Sequence, residues 1–183
     1  MMTLQDFKET KKIRSILCFF ETNEEINLLK MMKCFPESYF IKLKSRILYL
    51  VTPCKEKGYK YIIWKKGLIS ATGINKIEDY KNCIDDFLRQ MEKNNMIFTI
   101  KKYPVIKNIV ITVDLKKSMN LSDVVHRLDN FSYEPEIFPA IIFKIDKNRT
   151  VTCLIFSTGK IVIVGIKSFE EIDEIIKKIY DVT

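Results

Sequence analysis

Between residues 132 and 167 the chain reads SYEPEIFPAIIFKIDKNRTVTCLIFSTGKIVIVGIK, where apolar residues come in short runs broken by turn formers. These runs predict three strands, residues 139–146, 150–157 and 161–165. They are joined by the turn Asp146-Lys147-Asn148-Arg149 and the tight turn Ser157-Thr158-Gly159-Lys160. Successive side chains of a strand point to opposite faces. An antiparallel sheet with helices on one side ordinarily carries polar residues at alternate positions. Here Cys153, Ile155, Ile161 and Ile163 alternate with Leu154, Phe156, Val162 and Val164, so both faces are apolar. Either two layers cover this sheet, or one face is built to meet something other than water. Because Ile155 belongs to the helix side, alternation sends Phe156 to the opposite face. Ile63 does the same for Trp64.

The rest of the chain follows related patterns. Residues 1–12 read as a polar lead-in and 13–21 as a strand. Thr22 with Glu25 forms a capping box for a short helix bearing Ile26, Leu29 and Met32, which Pro36 ends. Strands are expected at 39–43, 47–51, 59–64 and 68–73, with Lys65-Lys66-Gly67 as a turn. A second capping box, Asn75 with Glu78, opens a helix over 76–93 that buries Ile77, Tyr80, Ile84, Phe87, Leu88 and Met91. Then come a strand at 107–115 and a short helix near 121–128 capped by Asn120 or Ser118. A last helix, opened by Ser168 with Glu171, turns Phe169, Ile172, Ile175, Ile176 and Ile179 inward.

Subtraction exposes a repeat. Ile63-Trp64 falls on Ile155-Phe156, Gly67 on Gly159, Gly73 on Gly165 and Phe87 on Ile179, each about ninety residues apart. Each half has the order strand, short helix, strands, long helix. The expected organisation is a lead-in at 1–12, one repeat at 13–95 and a second at 96–183, a duplicated α+β fold.

Charge and composition narrow the function classes. A 47% hydrophobic content supports a packed core in a chain of 183 residues, and a net charge of +8 is compatible with a polyanionic partner. No apolar run reaches the length of a membrane span, and the N-terminus is not a signal peptide, so an intracellular protein with no membrane partner is expected. The five cysteines lack a C-x-x-C pair and read as buried thiols. His126 has no acid or cysteine pattern around it and reads as a helix-surface residue. Ser157-Thr158-Gly159-Lys160 lacks the upstream glycine of a phosphate loop and joins two strands. With no paired carboxylates, metal-ligand spacing or nucleophile elbow, neither an enzyme nor a cofactor is expected.

The strings SYEPEIFPAIIFK, LIFSTGKIVIVGIK and, upstream, IKNIVITVDL resemble the second repeat of the TATA-box-binding proteins in order and spacing, from Val105 to about Val182. The first half resembles the family mainly through the internal repeat. The resemblance implies a saddle, a curved antiparallel sheet of about ten strands with helices on the convex face. The concave face of such a saddle sits in the minor groove of AT-rich double-stranded DNA and bends it. For the second repeat it implies DNA contacts from Asn108, Val110, Phe138, Pro139, Lys144, Arg149, Leu154, Phe156, Thr158, Lys160, Val162 and Val164. For the first it implies Ser15, Leu17, Tyr39 or Phe40, Trp64, Lys66, Leu68 and Thr72. Phe138 and Phe156 match the wedge pair. Asn108 matches a base-contacting asparagine, although a cross-strand hydrogen bond is the other reading of a polar residue in an apolar strand. Lys144, Arg149 and Lys160 match phosphate contacts.

Glu134, Glu136 and Ile137 match the loop that meets a transcription-factor-IIB-like protein. A IIA-like factor and the RNA polymerase machinery are further implied partners. The site of action would be the nucleus for a cellular eukaryotic source, or the site of viral transcription for a large DNA virus. This sequence departs from the family at Ser15 (asparagine), Trp64 (phenylalanine), Leu68 (lysine) and Val164 (threonine), and carries one extra residue between Arg149 and Phe156. Those changes favour retention of bending over strict preference for a TATA sequence. The alternative expectation is a protein-interaction module of the same fold whose apolar concave face is covered by a protein partner. A nucleic-acid-binding accessory module of an enzyme is a third.

Overall fold

The computed structural model describes residues 2–42, 48–54, 57–145 and 150–183. In chain order it runs α1 (Leu4–Glu9), β1 (Lys12–Thr22), α2 (Leu28–Cys34), β2 (Tyr39–Lys42), β3 (Leu48–Pro53), β4 (Lys60–Trp64), β5 (Leu68–Ile74) and α3 (Ile77–Glu92). It continues β6 (Ile100–Asp114), α4 (Leu121–Val125), β7 (Phe131–Ser132), β8 (Ala140–Lys144), β9 (Thr152–Phe156), β10 (Lys160–Ile166) and α5 (Ile172–Val182). This is an α+β fold that divides into two compact units, residues 15–107 and residues 1–14 with 108–183.

In the unit of residues 15–107 the antiparallel strand order is β2-β3-β4-β5-β1. Its inner face packs on α3: the Cys18 and Cys83 sulfurs lie 3.8 Å apart, and the Tyr61 hydroxyl donates to the Cys83 carbonyl at 2.8 Å. Phe87 meets Tyr61 and Phe20 edge-on at 5.3 and 5.5 Å. The buried stripe of α3 is Asp79, Cys83, Ile84, Phe87 and Met91. Ile77, expected inward, is exposed, and Asp79 takes a place on the inner side because Lys57 pairs with it at 3.0 Å.

In the other unit the order is β6-β10-β9-β8-β7. Ile109, Ile111, Ile141, Cys153, Ile155, Ile161 and Ile163 are buried, as are Ile172, Ile175, Ile176 and Ile179 of α5. Residues 1–12 are more than a lead-in. Thr3 and Asp6 close a capping box at the start of α1, and Phe7 is fully buried with its ring 5.7 Å from that of Tyr180. Lys11 and Lys8 reach Asp173 of α5 at 3.2 and 3.4 Å and hold its carboxyl below the usual carboxylate range.

The two units carry glycines at matching places. Gly67 and Gly159 turn their hairpins at φ 84° and 83°. Gly73 and Gly165, at φ 84° and 93°, sit where each sheet slips register. Ile16 pairs with Ile74 but Cys18 with Ala71, and Ile163 pairs with Ile111 but Ile166 with Ile109. In both cases three steps of the bulged strand face two of its partner.

Capping is where the structure departs most from the sequence expectation. The Thr22 hydroxyl donates to the Glu24 and Gly67 carbonyls, so Asn27 caps α2 instead; Ile26 and Met31 are its buried anchors, while Leu29 and Met32 are exposed. Helices α3 and α5 begin at Lys76 and Glu171 without a side-chain cap bond, whereas Asn120 caps α4 as expected. Four cysteines, Cys18, Cys54, Cys83 and Cys153, are buried free thiols, and Cys34 is half-buried. His126 is exposed at the end of α4.

Candidate nucleic-acid interface

Register defines the outer face of each sheet. Across the unit of residues 108–183 the row Thr112-Val162-Leu154-Ile142-Ser132 crosses all five strands, one residue per strand. The neighbouring row Ile111-Ile163-Cys153-Phe143-Phe131 faces the other way, and its first three members are fully buried. Val110, Val162, Val164, Leu154 and Phe156 are all half-buried on the outer side. The second apolar face is therefore partly open to solvent and is not covered by the unit's own helices. Phe156 lies opposite Ala140, and its ring meets that of Phe138 at 6.1 Å with planes crossed at 66°.

Asn108 satisfies the cross-strand reading in a way that leaves room for the other. The bulge takes the Gly165 N–H off the ladder, and Asn108 Oδ1 accepts from it at 2.8 Å. With the oxygen so used, the amide NH2 is turned away from the bulge as a donor.

Basic groups line this face. Lys144 Nζ donates to Thr152 Oγ1 at 2.7 Å, and Lys160, opposite Asp114 in the strand register, is exposed. Thr158 and Pro139 are exposed at strand ends. Arg149 lies outside the described residues. Three contributors were not singled out from the sequence: Arg14, whose Nε donates to Thr112 Oγ1 at 2.9 Å, Thr112 itself, and Ile142 beside Leu154. Both Thr112 and Ile142 follow from strand parity, Thr112 with Val110 and Ile142 with Leu154.

In the unit of residues 15–107 the matching outer row is Phe19-Ser70-Ile62-Val51-Tyr39. Phe20, Ile69 and Ile63 form the inner row, and Phe40 lies one residue on from Tyr39, so Tyr39 faces outward and Phe40 belongs to the helix side. Comparing rows also corrects the alignment of the first wedge. Tyr39 occupies the place of Ser132, not of Phe138. Tyr49 pairs with Trp64 as Ala140 does with Phe156, which puts the counterpart of Phe138 at residue 47, outside the described residues. Ser15, Leu17, Trp64 and Thr72 are half-buried, and Lys66 and Leu68 are exposed. Trp64 stacks on Phe19, with centroids 6.0 Å apart and planes at 27°. Glu21, also outward by alternation, binds Lys102 at 2.8 Å and Lys101 at 2.9 Å, and these ammonium groups keep its carboxyl below the usual range.

The loop before β8 is a separate surface. The Ile137 and Phe138 N–H groups both donate to the Glu134 carbonyl at 2.9 Å, closing a turn that leaves Glu134 and Glu136 exposed and Ile137 79% exposed. Among the described residues no group of three or more His, Cys, Asp or Glu is placed to hold a metal ion. No described helix is long and apolar enough to cross a membrane.

Residues 103–182 match the family described as transcription factor TFIID, or TATA-binding protein. A TATA-box-binding protein of Sulfolobus acidocaldarius is 36% identical over 175 residues, covering 96% of this chain and 87% of the relative. One from Archaeoglobus fulgidus is 28% identical over 178 residues, covering 96% and 94%. A solved structure, Methanococcus jannaschii TBP, superposes with a TM-score of 0.78 at 26% identity, over 94% of this chain and 97% of that one. The similarity thus extends through the first half, where the sequence strings alone carried little.

Proposed function

Because the chain belongs to the TATA-box-binding protein family, we propose that it is a DNA-binding transcription initiation factor whose outer sheet faces occupy the minor groove of AT-rich promoter DNA. The observation that supports this most is the half-open row Thr112-Val162-Leu154-Ile142, alternating with the buried Ile111, Ile163, Cys153 and Ile141. A broad apolar strip with few polar handles suits a minor groove, whose floor offers only acceptors at A·T pairs. The Asn108 amide supplies a donor for adenine N3 or thymine O2, and a guanine amino group at that point would face another donor. Lys144, Lys160 and Arg14 reach toward phosphates and add affinity without sequence choice. Wedge insertion is a property of this family's DNA binding, carried here to Phe138 and Phe156 by their place on the outer face. The protein-partner reading of the same face is not favoured by a family whose named members are TATA-box-binding proteins.

The product of such binding is a bent promoter presented to the transcription machinery. Glu134, Glu136 and Ile137 form an exposed acidic and apolar loop suited to a IIB-like factor, and a IIA-like factor is a second candidate partner.

A gel shift with an AT-rich duplex across a salt series tests both halves. Retention should fall steeply with salt, because each neutralised phosphate releases counterions, at a log–log slope of about −0.9 per contact. In the same gel, Glu134→Lys with Glu136→Lys should keep the duplex complex and weaken the slower band formed with a IIB-type factor. Absence of retention even at low salt contradicts the DNA reading. Equal loss of both bands contradicts a separate partner surface.

A further inference from the structure

Phe19 and Trp64 stand on β1 and β4, the two strands that flank β5. Strands two apart lie about 10 Å from each other, yet the ring centroids are 6.0 Å apart. The rings therefore lean together over β5. Ser70 is the β5 residue in that row, paired with Phe19 on one side and Ile62 on the other. It is 1% exposed, and its hydroxyl has no hydrogen-bond partner among the described residues. An outward position buried to that degree has been roofed. The small side chain is what lets the rings close. The corresponding trio in the other unit is Thr112, Val162 and Phe156, and there the space is not closed: Val162 is half-buried, Thr112 binds Arg14, and Phe156 turns to Phe138 with crossed planes.

We propose that Phe19 is the positioning residue that keeps Trp64 out of a base step. Trp64 then opens no step on its side, and the sharp deformation comes from Phe138 and Phe156. This deepens, and rests on, the minor-groove reading. A single ring can wedge into a partly unstacked base step, but two rings stacked face to face are twice as thick. One face of the Trp64 indole already lies on Phe19, so the intact stack does not enter a step. Opening it would give up an aromatic contact and expose a polar group that the stack now covers.

Trp64 is the only tryptophan in the chain, so its emission reports the stack directly. The test uses the full chain and an AT-rich duplex with a fluorophore at each end, reading binding, tryptophan emission and end-to-end energy transfer together. Two variants open the stack from different sides, Phe19→Thr and Ser70→Val, each taking the residue of the matching position in the other unit. The expected result is that the unsubstituted protein binds with only a modest loss of Trp64 emission. Both variants should lose most of theirs on binding and bring the duplex ends closer. Binding with unchanged emission and energy transfer in the variants overturns the role of Phe19 alone. So does near-complete quenching in the unsubstituted complex, whether or not the variants fold. Failure of the unsubstituted protein to bind any AT-rich duplex overturns the minor-groove reading instead.

Discussion

Replacing Phe138 and Phe156 together with alanine should remove most of the bend from a bound AT-rich duplex while leaving the protein folded. The two rings meet edge-to-face at 6.1 Å and are both half-buried, whereas Ile155, the immediate neighbour of Phe156, is fully buried. Their loss therefore opens no cavity in the core. Ile155→Ala would, at a cost of about 2–5 kcal/mol. Removing an aromatic that stacks on bases costs about 1–3 kcal/mol of binding per ring, so the double variant should bind more weakly yet measurably at low salt. Energy transfer between the duplex ends reads the bend, and thermal melting of the free protein reads the fold. A double variant that binds and bends as before shows that these rings are not wedges. One that melts far below the parent shows that they belong to the core.

The second large effect concerns a backbone position. Gly165→Ala should be strongly destabilising, and Gly73→Ala, its counterpart in the other repeat, much less so. Both glycines hold a left-handed conformation that costs an alanine about 1–2 kcal/mol. The surroundings differ. A Cβ on Gly165 would collide with the carbonyl oxygen of Thr150, a backbone atom that cannot swing aside, while a Cβ on Gly73 finds its nearest neighbour, the Tyr59 Cα, at an ordinary 3.8 Å. The bulge at Gly165 also carries the N–H that Asn108 accepts, so its distortion should weaken DNA binding beyond the loss of stability. Chemical denaturation of the two variants checks this order, with several kcal/mol expected for Gly165→Ala and a difference in that direction between the sites. Equal costs would mean that the collision is relieved by movement of residues near Thr150.

Much of this was readable from strand alternation. The parity that made Ile155 inward and Phe156 outward holds in the register, and the glycine pairs found by subtraction are the same turns and bulges in both units. Parity also places Phe19 outward between Cys18 and Phe20. What it cannot give is which ring Phe19 meets, because that depends on β5 lying between β1 and β4, a fact of strand order. The first wedge was misplaced for a related reason: residues 39–43 and 47–51 both read as strands, and only the pairing of Tyr49 with Trp64 fixes which of them matches β8. Capping motifs misled because a Ser or Thr hydroxyl has several local acceptors. Thr22 spends its hydroxyl on two carbonyls, one of them across the sheet at Gly67. Helix α1 was hidden because it buries a single large residue, Phe7, within a polar stretch. The candidate DNA contacts were legible as a face, and the individual roles proposed for them rest on the family resemblance.

The most direct measurement is competition for the protein among three duplexes of one AT-rich site: unchanged, with its A·T pairs replaced by inosine·cytosine, and with them replaced by G·C. Inosine·cytosine keeps the minor-groove acceptors without the amino group of guanine, while its major-groove edge is that of G·C. Equal competition by the unchanged and inosine duplexes, and weak competition by the G·C duplex, is the outcome required if the apolar outer face lies in the minor groove. An inosine duplex that competes no better than G·C would place the contacts in the major groove and contradict the account.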